Sequence, residues 1–218
     1  LDFLGRLPTV AEAQEYVQAA EEDKRRALVD RLLQDDGFPR YWSLHWCDML
    51  RVKSEFPINL WPNAVYGYQR RIHGFLSRNE PYDDFVRSLL TASGSNFRVP
   101  EVNFFRASAD RSAAGIAAAV ALSFMGLRYE AMSEADRQTL AGFFSGVRFK
   151  STREWKEEVV YVQYLPEGRR LRRLDGRLAD IAPGEDARAV FCDELLAAGN
   201  PYFSRALVNR VWHCFFGH

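Results

Sequence analysis

Lysine is scarce in this chain: only Lys24, Lys53, Lys150 and Lys156 stand among 29 basic residues. Arginine supplies the rest. Such an excess can serve anion binding, but a GC-rich genome accounts for it more simply. Net charge is also missing, because 29 acidic residues balance the basic ones. No overall field therefore argues for nucleic acid or for a cationic partner. The three cysteines, Cys47, Cys192 and Cys214, are far apart and form no C-x-x-C pair for metal or redox work. Their odd number argues against a disulfide scaffold, and their apolar helical surroundings suit free cysteines acting as small hydrophobes. No apolar run reaches the length of a membrane span. No signal-peptide pattern is present, yet the chain starts mid-pattern at Leu1-Asp2-Phe3-Leu4 and stops abruptly at Phe215-Phe216-Gly217-His218. The expectation is a piece of a longer protein, with His218 readable as the start of a purification tag, so the missing signal decides nothing about location.

What the sequence does have is apolar and aromatic. Hydrophobic residues make up 47% and aromatics 14% of the 218 residues, enough to bury a core in one large domain or two small ones. Thr9-Val10-Ala11-Glu12 is a capping box after Pro8, opening a helix to about Ala20. A second helix is expected over 23–34, stopped by Asp35-Asp36-Gly37 with the glycine as left-handed cap. A tryptophan-rich helix follows over 39–52, then a Pro57/Pro62 loop over 53–62. Further helices are expected over 63–77, from Glu80-Pro81 through Leu90, over the alanine-rich 113–125 behind Asp110, and from Ser133 to Phe144. Residues 97–105 read as an irregular loop whose Phe97, Phe104 and Phe105 are costly to leave in water.

After Gly146 the pattern changes. Residues 158–165 are β-branched and aromatic, and read as a strand. Pro166-Glu167-Gly168 is a turn, with Arg169–Leu174 expected to pair back as a hairpin. A connector spans 175–184. Helices then return over 185–198, capped by Gly199, and after Asn200-Pro201, where Phe203, Leu207, Val211 and Phe215 recur every four residues.

Three groups of polar residues are candidate sites. His45, Asp48 and Arg51 lie beside the stripe of Trp42, Trp46, Met49 and Leu50, at spacings that let side chains meet. The aspartate could fix the histidine tautomer as in general-base pairs; the plainer reading is a hydrogen-bonded fastener between helices. Cys47 and His45, at i and i+2, point to different faces, which disfavours a Cys–His nucleophile. Asn96, Arg98, Asn103 and Arg106 are interleaved with phenylalanines, a composition that suits a saccharide, or a loop packing its own aromatics. Arg205, Asn209 and His213 share one face of the last helix and could hold an anion or a sugar, or simply be solvated. Arg169, Arg170, Arg172 and Arg173 form a basic ribbon that reads as protective charge on an edge strand rather than a phosphate site.

The chain resembles the planctomycete-type cytochrome-like domain family, a domain of unknown function. The resemblance rests on Leu4-Gly5-Arg6-Leu7-Pro8-Thr9, on Leu28–Leu33 ahead of His45-Trp46-Cys47-Asp48-Met49-Leu50-Arg51, and on Pro81-Tyr82-Asp83-Asp84-Phe85-Val86-Arg87. Asn200–Trp212 is similar to the opening of the uncharacterised domain that usually follows. Typical members carry C-x-x-C-H after the "FLG" helix end. Here Phe124-Met125-Gly126 runs into Leu127-Arg128-Tyr129-Glu130-Ala131-Met132, with no cysteine for thioether bonds and no adjacent histidine for iron. Haem attachment is excluded in that segment. Non-covalent haem through His45, His73 or His213 has no further support, so no cofactor and no metal are expected.

The sequence thus predicts a mainly α fold, a globular bundle of roughly eight helices with one small β-hairpin near residues 158–174. Residues 1–146 would form a haem-less helical domain, 147–184 the hairpin and connector, and 185–218 the start of a second helical domain. The expected role is that of a non-catalytic, extracytoplasmic scaffold or interaction module in a larger bacterial protein, partnered by the rest of its own polypeptide. The location follows from the resemblance alone. The alternative is a polysaccharide-binding or polysaccharide-processing domain using His45/Asp48/Arg51 or the 96–106 loop. Nucleic acid is not an expected partner.

Overall fold

Ten α-helices and five short strands make up the computed structural model, which describes residues 1–55, 60–164, 166–173 and 175–217. The expected mainly α architecture is what forms. The first two helices, α1 (Val10–Gln18) and α2 (Lys24–Gln34), bury no residue fully. They lie against each other through the Arg31–Glu15 pair at 3.1 Å and through Lys24 over the Tyr16 ring. The Thr9 capping box is complete: its hydroxyl accepts from Glu12 N, and the Glu12 carboxylate accepts from Thr9 N.

The core begins with α3 (Gly37–Met49), α4 (Pro62–Ser77) and α5 (Tyr82–Leu90). On α4, Ala64, Tyr68, Ile72 and Phe75 are buried, the spacing of one helical face. Phe75 stacks on Phe85 at 4.2 Å, and Trp46 of α3 meets both rings edge-on. Gly37 differs from its expected place. It is the first residue of α3, not a left-handed cap on α2, which ends at an extended Asp35. The predicted loop over 53–62 lies partly outside the described residues.

Residues 97–105 are more helical than expected. A 3₁₀ turn, Pro100–Val102, leads into the single turn α6 (Asn103–Arg106). Phe104 and Phe105 are buried, but Phe97 remains exposed. The alanine-rich α7 (Ala113–Val120) is capped by Ser112, whose hydroxyl accepts from Gly115 N; Asp110 in turn accepts from Ser112 N. Five residues of π-helix, Ala121–Met125, follow and end at a left-handed Gly126. Small residues let α8 (Glu134–Phe144) pack closely along α7, and Leu140, Phe143 and Phe144 go into the core.

Strands form at the two expected places, 158–162 and 169–172, but three further short strands join them and the pairing differs. β1 (Gly94–Ser95), β2 (Val147–Ser151) and β3 (Glu158–Val162) form one antiparallel sheet in the order β1-β3-β2. β4 (Arg169–Arg172) pairs forward with β5 (Leu178–Ile181), not back with β3. The reason is that β3 already has a partner on each edge, so the arginine-bearing strand makes its own hairpin. Arg169 turns inward to the Ser145 hydroxyl and the Gly142 carbonyl, while Arg170 and Asp180 pair across the strands at 2.6 Å.

α9 (Ala187–Leu195) inserts Phe191, Cys192 and Leu195 into the same core. It is shorter than expected, closing at Leu196 instead of Gly199. α10 (Pro201–Phe216) starts as expected, with the Asn200 side chain accepting from Tyr202 N and proline at the first turn.

Candidate functional site

His45 and Asp48 are exposed on the outer face of α3. Arg51 does not join them. The helix ends at Met49, and Arg51 takes a left-handed backbone, φ 58°, that swings its side chain the other way. Its guanidinium lies over the Phe104 ring, 5.6 Å from the centroid. Its Nε and Nη2 are buried without a hydrogen-bond acceptor. His45 contacts the rings of Tyr41 and Trp42 at 5.0 and 5.4 Å.

The loop residues are mostly turned inward. Asn96 accepts from Glu158 N at 2.8 Å and fastens β1 to β3. Asn103 donates to the Pro100 carbonyl and accepts from Arg106 Nη1. Arg106 Nε pairs with Glu158 at 2.7 Å, and Arg111 meets the same carboxylate at 2.9 Å. Arg98 alone of the four is exposed. On α10, Arg205, Asn209 and His213 share the water-facing side.

The aromatic stripe leads elsewhere. α3 and α10 flank a cleft of about 290 Å³, walled by Phe38, Trp42, Trp46, Leu207 and Phe215, with Phe3 at one end. Phe3, Phe38, Trp42 and Phe215 form a connected ring cluster with centroids 5.8–6.4 Å apart. Trp42 Nε1 is buried and meets no acceptor.

α10 docks through one face only. Phe203 stacks on Tyr82 at 4.8 Å, and Ala206 sits over Gly126. Arg210 donates to the carbonyls of Ser123 and Leu122 at 2.9 and 3.2 Å and touches the Met49 sulfur. A cation on the last carbonyls of a helix is favourable, and the π-turn leaves those carbonyls free for it. Burial holds this guanidinium below its usual pKa. The remaining apolar side chains of α10, Val208, Val211, Trp212, Phe215 and Phe216, are all more than a third exposed.

A second aromatic pair joins the β2–β3 loop to the start of α4. Trp155 is 69% exposed and meets Trp61 edge-on at 4.6 Å, with Lys156 over both rings. Glu157 braces this loop by accepting from Ser95 and Thr152 hydroxyls.

Among the described residues, no three of His, Cys, Asp and Glu gather as metal ligands do. Burial pushes the Cys47 thiol up to about 11 and the Cys192 thiol up to about 12, the wrong direction for a nucleophile. The donor set for a covalent haem is not present either: Cys47, Cys192 and Cys214 stand on three different helices, and 127–132 holds none.

Two arginines that fasten helices, Arg188 and Arg210, escaped the sequence reading. The signal was there. Arg188 shares the spacing of Phe191, Cys192 and Leu195, and Arg210 that of Phe203, Ala206 and Leu207, so each sits on an apolar face.

A family model described as PSCyt2, protein of unknown function (DUF1549), matches residues 1–148. No curated protein and no solved structure matches the chain.

Proposed function

The chain belongs to the PSCyt2 family of proteins of unknown function, and from that premise we propose that it acts as a non-catalytic interaction module, with α10 as its docking element. The observation that carries this reading is the second half of α10. Trp212 and Phe216 are 54% and 57% exposed, flanked by Val208, Val211 and Phe215, and the aromatic cleft continues the same surface. A contiguous apolar patch of this kind marks an interaction site. We take its cover to be further helical protein of the same bacterial, extracytoplasmic polypeptide, with α10 as the first element of a second domain. The test is a Trp212→Glu/Phe216→Glu variant. In the chain alone the open patch should bind a hydrophobic dye such as ANS, and loss of that binding in the variant, at an unchanged Tm, is the expected result. A fall of many degrees in Tm would mean that these rings already serve the internal core, and would end the proposal.

A second reading, polysaccharide binding, draws on Trp155 and Trp61 beside the loop at Asn96 and Arg98. A braced, exposed indole with planar polar neighbours suits stacking on a sugar face. Retention on insoluble polysaccharide that Trp155→Ala abolishes would support it. Equal retention of both proteins would count against it.

A further inference from the structure

Lys156 puts a charge beside the Trp155–Trp61 pair. Its ammonium lies 4.9 Å from the Trp61 ring centre and 5.6 Å from that of Trp155. Its backbone is left-handed at φ 64° without being glycine, a conformation that costs energy and holds only where the surroundings enforce it. Here they do. Asn96 Nδ2 donates to the Lys156 carbonyl, and Glu157 N donates to the Glu154 carbonyl. The Glu157 carboxylate accepts from the Ser95 and Thr152 hydroxyls. The braced turn folds Lys156 back over the indoles, yet the side chain stays open to water. Among the described residues its ammonium meets no hydrogen-bond acceptor and no carboxylate.

The acids around it are engaged elsewhere. Glu157 is held by its two hydroxyls, and Glu158 by Arg106 and Arg111. Arg153 and Glu154, both exposed on the same loop, offset each other. Arg98 is exposed and near enough to help hold the Glu157 carboxylate below its usual pKa, but its guanidinium donates to no acceptor among the described residues. Lys53 adds a further exposed cation, its carbonyl accepting from Leu60 N at 3.0 Å, next to Trp61. Resting on the second reading above, that these indoles stack on a sugar, we propose that the ligand is an acidic polysaccharide. Lys156 meets a carboxylate or sulfate ester of the sugar stacked on Trp155, and Arg98 is a second contact. An indole face takes the C–H side of a sugar whatever its charge, so the exposed ammonium, with three donors, sets the preference for an oxyanion. Single-stranded nucleic acid also pairs rings with cations, but it follows a basic track, and this chain has no net charge.

The probes are dextran, dextran sulfate, polygalacturonate and oligothymidylate, titrated against the chain at constant ionic strength while tryptophan fluorescence is read. At least one of the two acidic polysaccharides should quench saturably, with a midpoint at least tenfold tighter than that of dextran. Which one acts separates a sulfate ester from a carboxylate, and dextran with its sulfate isolates charge on one backbone. Trp155→Ala, at an exposed position, should lose the quench at an unchanged Tm. Lys156→Asn, which tolerates the left-handed backbone, should weaken the acidic midpoint at least tenfold. Retardation of the unaltered chain in gels containing each polymer supplies a measurement that does not depend on a variant folding. Dextran bound as tightly as the acidic polymers, and released by Trp155→Ala, would overturn the acidic assignment and leave sugar stacking in place. Binding of no polysaccharide would overturn both. An unchanged midpoint in Lys156→Asn, or oligothymidylate bound as tightly as the acidic polysaccharides, would also overturn the proposal.

Discussion

Arg188 is 2% exposed, yet every part of its head group is answered. It donates to the Ala92 and Thr91 carbonyls at 2.7 and 3.1 Å, to the Ser93 hydroxyl, and to Asp186. One side chain thus closes the C-terminal end of α5 and holds α9 against it. Replacing it by Met leaves two carbonyls without their donor and the Asp186 carboxylate without its cation, and removing one partner of a buried pair costs about 3–5 kcal/mol. Arg188→Met should therefore lose that much stability in denaturant melts. Adding Asp186→Asn, which keeps the cap on Arg188 N, should recover part of it. Arg71 is the second fastener, joining Glu80, Glu101 and Ser88. The hydrogen bond from Arg71 holds Glu80 below the ordinary carboxylate range. A carboxylate lowered in the folded state stabilises above its unfolded pKa of about 4.3, and that contribution fades as pH falls through the folded value. A Tm profile taken downward from pH 6 should drop more steeply in the parent than in Glu80→Gln. Parallel profiles would show that this pair does not couple to folding.

Among elements, α1 and α10 are both lightly attached, with no residue and one residue buried. α1 has a complete capping box but no buried residue. Thr9→Ala should cost about 1 kcal/mol of local helix stability and leave the main unfolding transition where it is, with faster amide exchange confined to 10–18. α10 hangs on Phe203, Ala206 and Arg210. Removing the charged donor to the Leu122 and Ser123 carbonyls should cost about 1.5–3 kcal/mol. Arg210→Gln should therefore loosen α10 before the core, seen as a separate early step in near-ultraviolet circular dichroism. A single unshifted transition would deny Arg210 that role. The π-turn is the element that makes this attachment, and nothing in the run Ala121–Met125 announces it. Its widened turn becomes legible only with a cation placed on its carbonyls.

At the scale of the whole molecule, helices were legible because their apolar positions repeat, as Ala64, Tyr68, Ile72 and Phe75 do, and because Thr9, Ser133 and Asn200-Pro201 signal starts. Strand pairing was not, since it depends on which edge is free. Val147 and Phe149 alternate with Arg148 and Lys150, a strand pattern passed over in favour of the stronger one at 158–162. The polar cluster on α3 was misjudged for a local reason: two residues beyond the helix end, Arg51 leaves the helical path, and spacing ceases to report neighbours. Packing crosses residues 146 and 184, since β3 pairs with β1 and α9 enters the common core. The second half of α10, apart from the contact of Phe215 with Phe3 and Trp42, leaves its apolar side chains largely exposed. The most direct measurement is residue-resolved hydrogen exchange on this chain. Amides of 64–75, 85–90, 116–125, 140–144 and 191–195 should open together near the global stability, while those of 208–216 exchange far faster through local opening. Protection of 208–216 equal to that of the core would contradict the view that this helix awaits a partner.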